Sequence, residues 1–280
     1  MQIKKKTREK TSRVFAMHGV VKAVNENWLS HRNFLEKEKF EHHLQTRAAL
    51  YVGLNSALED GGDALTIDDA TYAAYDAAVL ASKYGHHVTL FVNPHNVITQ
   101  SPYFFALLCI ILDRAKIEAV TFRDHRFKIN DYADKFALRQ RVKGELLTLA
   151  LEEDRHKLVQ ELAHALSIRD WSLPKFFQTL NEEDLLELSE LGVQIGNHGW
   201  THVSVDALSP AGALEEISKA GRWIEENFAT DSGVFAVPFG TSKPTFPIGK
   251  EFCARWLLND NTLPLGYVGD GIYNRETLKL

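Results

Sequence analysis

The sequence predicts an α/β fold built on a parallel sheet, and three alternations of helix with apolar strand predict it. The first runs from a short apolar strand at Ala64 to Ile67, through an Ala-rich helix over Tyr72 to Lys83, to a second apolar strand at His87 to Val92. Strand, helix and strand in that order make the βαβ unit of a parallel sheet with a right-handed crossover. The second alternation sets a helix over Asn181 to Leu191 before the strand Val193 to Ile195. The third sets a helix over Ala213 to Asn227 before the strand Val234 to Val237.

From the amino end, Arg13 to Met17 reads as a strand whose carboxyl end carries His18, followed by Gly19. Residues 28–56 mix charge with spaced apolar positions (Phe34, Phe40, Leu44, Leu50), the pattern of a surface helix and its connection, with His42 and His43 on a solvated face. Turn chemistry at Asp60-Gly61-Gly62-Asp63 leads into the strand that ends in Asp68 and Asp69. Gly85 stops the helix that follows. From about 101 to 171 the alternation is lost. A helical run at Tyr103 to Lys116, a hairpin across Ala119 to Ile129 and two charged helices within Asp131 to Leu151 and Glu153 to Leu166 read as an insertion. His125, His156 and His164 lie there and read as surface or helix-face residues rather than ligands. Asn181 then caps a helix with acids in its first turn, and Gly192 ends it. Ser209-Pro210 opens the next helix, with Pro in the favoured first position. Pro238-Phe239-Gly240 breaks the strand after Val237, and Cys253 to Leu258 and Tyr267 to Val268 read as closing strands. No linker, repeat or low-complexity tract divides the chain, so one domain over residues 1–280 is expected.

Composition bounds the class without naming a function. With 45% hydrophobic and 25% charged residues the chain is ordinary globular protein. Its net charge of −5 offers no long-range attraction to nucleic acid or an anionic membrane. Cys109 and Cys253 are far apart and form no C-x-x-C motif, so they read as buried free thiols rather than a disulfide framework. The amino end has the positive charges of a signal peptide without the apolar region of about seven or more residues that must follow them. The most apolar run, Tyr103 to Leu112, is far short of the roughly 20 residues of a membrane-spanning helix. A cytoplasmic protein with no integral membrane segment is the expectation.

Two features carry chemistry. His198 and His202 sit four apart in HGWTH, and that spacing lets two imidazoles reach one metal ion from one turn of chain. Helical zinc proteases place a Glu after the first His of such a pair. Here Gly199, Trp200 and Thr201 intervene, so a base must come from elsewhere. On spacing alone, two histidines in a polar loop fit as well. Asp68 and Asp69 are adjacent carboxylates at the end of a buried strand, and they repel unless a cation or a proton relieves them.

Taken in order, TIDD at Thr66 to Asp69, HGWTH at His198 to His202 and VPFG at Val237 to Gly240 resemble the motifs of the NodB-type polysaccharide deacetylases, over most of the chain from Arg13 to about Gly240. That resemblance implies a distorted (β/α) barrel with fewer than eight regular repeats, here interrupted by the helical insertion at about 101–171, with a site at the carboxyl ends of the strands. It implies one divalent metal held by Asp69, His198 and His202, with zinc suiting the donors and cobalt, nickel or iron also fitting. Asp68 would be the general base, Phe239 would offer its backbone N–H to the oxyanion, and Pro238 would fix that turn. Trp200 and Phe239 would wall an acyl pocket or stack on a sugar.

The chain departs from the family pattern in three places. It has no histidine after His202, where most members place the acid of a late Leu-x-His motif. In a branch related to exopolysaccharide deacetylases that histidine follows an apolar run at the amino end; RVFAMHGV resembles this motif and nominates His18 as the acid. Ala236 stands where many members have an Arg that pairs with the base, and Arg275 is the candidate to replace it. Ala70 replaces the usual Gly after the paired acids. The implied function is metal-dependent hydrolysis of an N-acetyl group on an amino sugar of a bacterial glycan or its precursor. Deformylation of an amino sugar, opening of a small cyclic amide, and a glycan-binding protein that kept its metal without turnover are the rival readings.

Overall fold

Strands buried at every position, such as Val88–Val92, need cover on both faces. The chain supplies it by closing its sheet into a barrel ringed by helices. The structure, a computed structural model, describes residues 12–228, 230, 233–239, 255–260, 264–269 and 271–280. In chain order its strands are β1 (Ser12–Met17), β2 (Val20–Val21), β3 (Leu35–Glu36), β4 (Gly62–Asp68), β5 (Val88–Val92), β6 (Ala119–Phe122), β7 (His125–Lys128), β8 (Gln194–Asn197), β9 (Val234–Ala236), β10 (Trp256–Asp260), β11 (Gly266–Gly269) and β12 (Ile272–Thr277). Its α-helices are α1 (Lys37–Thr46), α2 (Leu54–Asp60), α3 (Tyr72–Lys83), α4 (Pro94–Thr99), α5 (Phe104–Arg114), α6 (Tyr132–Leu146), α7 (Glu152–Ala165), α8 (Glu182–Glu190) and α9 (Pro210–Phe228).

The barrel runs β1-β4-β5-β8-β9-β10-β12, all parallel, and closes where β12 pairs with β1 at Phe15↔Glu276 and Ala16↔Thr277. Seven strands, one fewer than a regular eightfold barrel, form the distorted barrel that the motifs implied. Period-two alternation sorts the side chains. Val14, Ala64, Phe91, Ala236, Leu258 and Tyr273 form an apolar cluster, while Leu65, Ile67 and Leu90 belong to a separate one shared with α3. Farther toward the carboxyl ends the strands carry polar side chains instead: Thr66, Asp260 and Arg275 two residues on from Ala64, Leu258 and Tyr273, and Asp68 four on from Ala64. Apolar packing therefore gives way to polar chemistry at the carboxyl-end rim.

Local signals account for the helices. Thr71 caps α3 by accepting from the N–H of Ala74, and Asn181 with Asp184 makes a reciprocal capping box at α8. Gly85 and Gly192 follow these helices with φ of 73° and 84°. Residues 28–56 hold more than the one helix expected: a 3-10 turn at Leu29–His31, then α1 and the start of α2. His42 is exposed as expected, whereas His43 is half-buried with its Nε2 2.9 Å from the Tyr51 hydroxyl.

The closing strand differs from the expectation. The Tyr267 segment forms β11, which is antiparallel to β12 and outside the ring, and β12 itself closes the barrel. Sequence pattern hid β12 because YNRET carries polar residues into a buried position, Arg275 being fully buried. Of the segment Cys253 to Leu258, β10 begins at Trp256; Cys253 and Gly240 lie outside the described residues.

Segment 101–171 carries α5, the β6–β7 hairpin, α6 and α7, packed around apolar residues that include Leu108, Ile111, Leu138, Val142, Leu158 and Leu162. Cys109 is buried there, and His125, His156 and His164 are exposed. No helix among the described residues is long and apolar enough to cross a membrane.

Gly19 seats the loop after β1. Its φ is +134°, and a Cβ there would lie 2.4 Å from the Ala73 carbonyl carbon, at the start of α3. Backbone cannot yield as a side-chain tip can. Gly19→Ala is expected to destabilise the fold by about 1–3 kcal/mol or more, read as a lower urea midpoint; an unchanged midpoint would contradict this close approach.

Candidate active site

Register brings the site together before any side chain is considered. Met17 of β1 lies beside Ile67 of β4, Asp68 beside Phe91 of β5, and Val92 of β5 beside Asn197 of β8. The residues next in sequence, His18, Asp69 and His198, therefore leave β1, β4 and β8, within one run of four neighbouring strands, on one rim.

Three donors converge there. Asp69 Oδ1 lies 3.6 Å from His198 Nε2 and 3.2 Å from His202 Nε2, and one ligand atom from each residue falls within 4.8 Å of the others. All three residues are buried. His198 Nδ1 lies 2.8 Å from the carbonyl oxygen of Ala236, which accepts its proton and so turns the Nε2 lone pair toward Asp69. A lone pair facing a buried carboxylate is repulsive, and Asp69 Oδ1 has no hydrogen-bond donor among the described residues. A divalent cation between these atoms resolves the conflict, so the residues fit a metal. One carboxylate and two imidazoles leave coordination positions open, as a catalytic site requires.

The backbone around the cluster is unusual. Asp69, His202 and Phe239 have φ of 67°, 54° and 66°, in the left-handed region that side chains rarely enter. The histidine loop is fixed by groups that the sequence patterns did not single out. Asn93 Nδ2 donates to the carbonyls of His198 and Gly199 at 2.6 and 3.0 Å, and the N–H of Gly199 donates to Asn197 Oδ1 at 2.9 Å. Glu216 accepts from the backbone N–H and, at 2.9 Å, from the hydroxyl of Thr201. Behind Asp69, the N–H of Ala70 donates to the Tyr103 hydroxyl at 2.9 Å, and the Tyr103 ring stands edge-on to His202. Only strand-end Asn residues could have hinted at this scaffold.

Asp68 lies beside the three donors in an environment of its own. Arg275 reaches across the barrel from β12 and grips both oxygens, Nη1 to Oδ1 at 2.8 Å and Nη2 to Oδ2 at 2.6 Å. The same guanidinium donates through Nε to Asp260 at 2.6 Å and through Nη1 to Thr66 at 3.0 Å. Burial alone would raise the Asp68 carboxyl, but Arg275 and His198 outweigh it and hold the group below the usual carboxylate range. Burial likewise opposes the charge on Arg275, and Asp260 and Asp68 together more than restore it. Ala236 lacks a charged side chain, and Arg275 supplies the Asp68 partner from another strand.

His18 is about one-third exposed, with Nε2 3.9 Å from Asp69 Oδ2. It lines a cleft of about 520 Å³ together with Asp68, Asp69, His198, His202 and Phe239. Pro238 is buried, and the half-buried Phe239 places its ring 4.6 Å from that of His202. Trp200 is the exception among the expected site residues. It does not line this cleft; its ring lies 4.1 Å from Lys219 Nζ and 6.4 Å from the His95 ring. Trp200 stands between two of the three candidate donors in sequence, and the loop turns beside it at Gly199, φ 81°.

With this geometry in hand, the family model for polysaccharide deacetylase matches residues 60–251. The chain belongs to the polysaccharide deacetylase family. In structure it is similar to the Streptococcus pyogenes deacetylase PplD in complex with acetate, at a TM-score of 0.58 and 12% identity, covering 95% of this chain and 92% of that one. It is also similar to IcaB from Ammonifex degensii, at 0.53 and 13%, covering 95% and 91%. A polysaccharide deacetylase from Bacillus cereus gives 0.56 and 11%, covering 95% of this chain and 64% of that one. At these identities the likeness speaks for the fold. No curated protein matches the chain.

Proposed function

We propose that the chain is a metal-dependent hydrolase, acting as one catalytic domain, that removes the N-acetyl group from an amino sugar of a bacterial glycan or glycan precursor. The observation that carries the reading is the meeting of a three-donor cluster, an Arg-clamped carboxylate and a partly exposed histidine in one cleft. Asp69, His198 and His202 would hold the ion, zinc by their donor types. Such an ion, when bound, polarises an amide carbonyl and makes water more acidic.

The remaining work falls to this chain's own groups. Asp68, kept ionised and aimed by Arg275, takes a proton from the attacking water. The backbone N–H of Phe239, set by its left-handed φ, faces the oxyanion as it develops. His18 gives a proton to the departing nitrogen, the C–N bond breaks, and acetate and a free amine result. Support for a catalytic over a glycan-binding reading comes from Arg275, which restores the partner that Ala236 withholds. Deformylation would use the same groups.

His18→Ala tests the assignment of the acid. Loss of a positioned acid lowers kcat for an amide by about 10²–10⁴-fold, with bound metal retained. Hydrolysis of an aryl acetate, whose leaving group needs no proton, should fall far less. Equal loss on both substrates, or none on the amide, would remove His18 from this role.

A further inference from the structure

The insertion supplies the outer wall of the cleft, and that wall is cationic. Arg139 and Lys143 stand four apart on α6, on the side of the helix that lines the cleft, and Arg32 joins them from the turn after Leu29–His31. Arg139 is only 4% exposed. Its Nε donates to Cys109 Sγ at 3.3 Å and its Nη1 to Gln140 Oε1 at 3.0 Å, both neutral acceptors. Lys143 and Arg32 lie over the rings of Phe239 and Phe136, at 5.5 and 4.7 Å. None of the three makes an ion pair among the described residues. The side-chain carboxylates that line the same cleft, Asp68, Asp69 and Asp260, are engaged with Arg275 or with the three-donor cluster.

Like charges at i and i+4 on a helix repel, and desolvating an unpaired cation is costly. The repulsion is felt here: burial pulls the Lys143 ammonium down, and Arg139 and Arg32 add to it. A chain of net charge −5 has acids enough to neutralise such a wall, yet none of them forms an ion pair with it among the described residues. One carboxylate saturates one guanidinium fork, whereas two guanidiniums and an ammonium together match a dianion.

Resting on the deacetylase reading above, we propose that Arg32, Arg139 and Lys143 form a phosphate-binding subsite, so that the substrate is an N-acetylated amino sugar bearing a phosphate or diphosphate group. The phosphate is held and not transferred: water still cleaves only the amide, giving acetate and the amino sugar phosphate. A sugar 1-phosphate, a nucleotide-linked sugar and a lipid diphosphate sugar share this chemistry.

The test compares N-acetylglucosamine 1-phosphate and uridine diphosphate N-acetylglucosamine with the uncharged methyl N-acetylglucosaminide on the metal-loaded full chain, both by acetate release and by calorimetric binding. At least one phosphorylated sugar is expected to have a kcat/KM and an affinity about tenfold or more above the neutral glycoside, and the margin shrinks as salt rises. Which of the two leads separates a monophosphate source from a diphosphate one. Arg139→Gln and Lys143→Gln should each cut that preference by about fivefold or more, and Arg32→Gln, at an exposed position, serves should the buried variant misfold. Equal use of neutral and phosphorylated sugars, preference for a carboxylate-bearing sugar over both phosphates, or a preference that survives all three substitutions would overturn the subsite and leave deacetylation standing. Phosphate-selective binding that the substitutions abolish, without acetate from any sugar, would uphold the subsite and refute deacetylation.

Discussion

Arg275→Met is expected to be among the most damaging substitutions in the chain. Arg275 is fully buried and is the shared partner of two carboxylates, Asp68 at 2% and Asp260 at 15% side-chain exposure. Removing one partner of a buried ion pair costs about 3–5 kcal/mol, because the remaining charge is left without compensation. Here two charges of one sign remain together. The fold is expected to lose that amount or more in urea denaturation. The Asp68 contribution has a definite pH window. Its carboxyl is held below its unfolded value near 3.9, so the stability it adds is present above that pH and fades as pH falls through the folded value. Arg275→Lys separates charge from geometry, since an ammonium cannot grip both oxygens of Asp68 while bonding Asp260. It should recover part of the stability while kcat stays at least about tenfold down. Wild-type stability in Arg275→Met would show that the clamp contributes nothing.

Asp69→Asn should have the largest effect on activity. The substitution keeps size and shape, and Asn accepts the left-handed backbone, φ 67°, that Asp69 occupies. What it removes is the only anionic donor among the three. Retained folding, loss of bound metal after dialysis and a fall in acetate release of about 10³-fold or more are expected, each 1.36 kcal/mol of lost stabilisation being tenfold in rate. With the charge gone, the metal-free variant should be no less stable than the metal-free parent. Full metal content and full activity in Asp69→Asn would remove Asp69 from the ligand set.

Much of this site is legible because strand ends and motif spacing coincide. TIDD ends a strand and HGWTH follows one, so a parallel sheet delivers Asp69, His198 and His202 to one rim by register alone. The N-terminal RVFAMHGV reads the same way, its neighbour in the barrel being β4. Tertiary closure is harder to read. Arg275 and Asp260 are opposite one another on β10 and β12, yet nothing local distinguishes a buried Arg in YNRET from one on an exposed edge. Trp200 misleads for a related reason: proximity in sequence to two candidate donors does not set side-chain direction, and the loop turns beside it at Gly199. The insertion is visible as a break in alternation, but its charged helices read as solvated. That Arg139 is buried follows only from the packing of α6 against α5, where it meets Cys109.

The most direct test of the central claim joins metal content to reaction. Purified protein would be assayed for bound metal and for acetate release from N-acetylglucosamine oligomers and N-acetylglucosamine 1-phosphate, then again after chelation and after zinc is restored. Near one metal per chain, acetate release that chelation abolishes, and recovery with zinc are the predicted results. Acetate release that persists in protein stripped of metal, or a chain that takes up no zinc or cobalt at all, would contradict the assignment of Asp69, His198 and His202 as the catalytic centre.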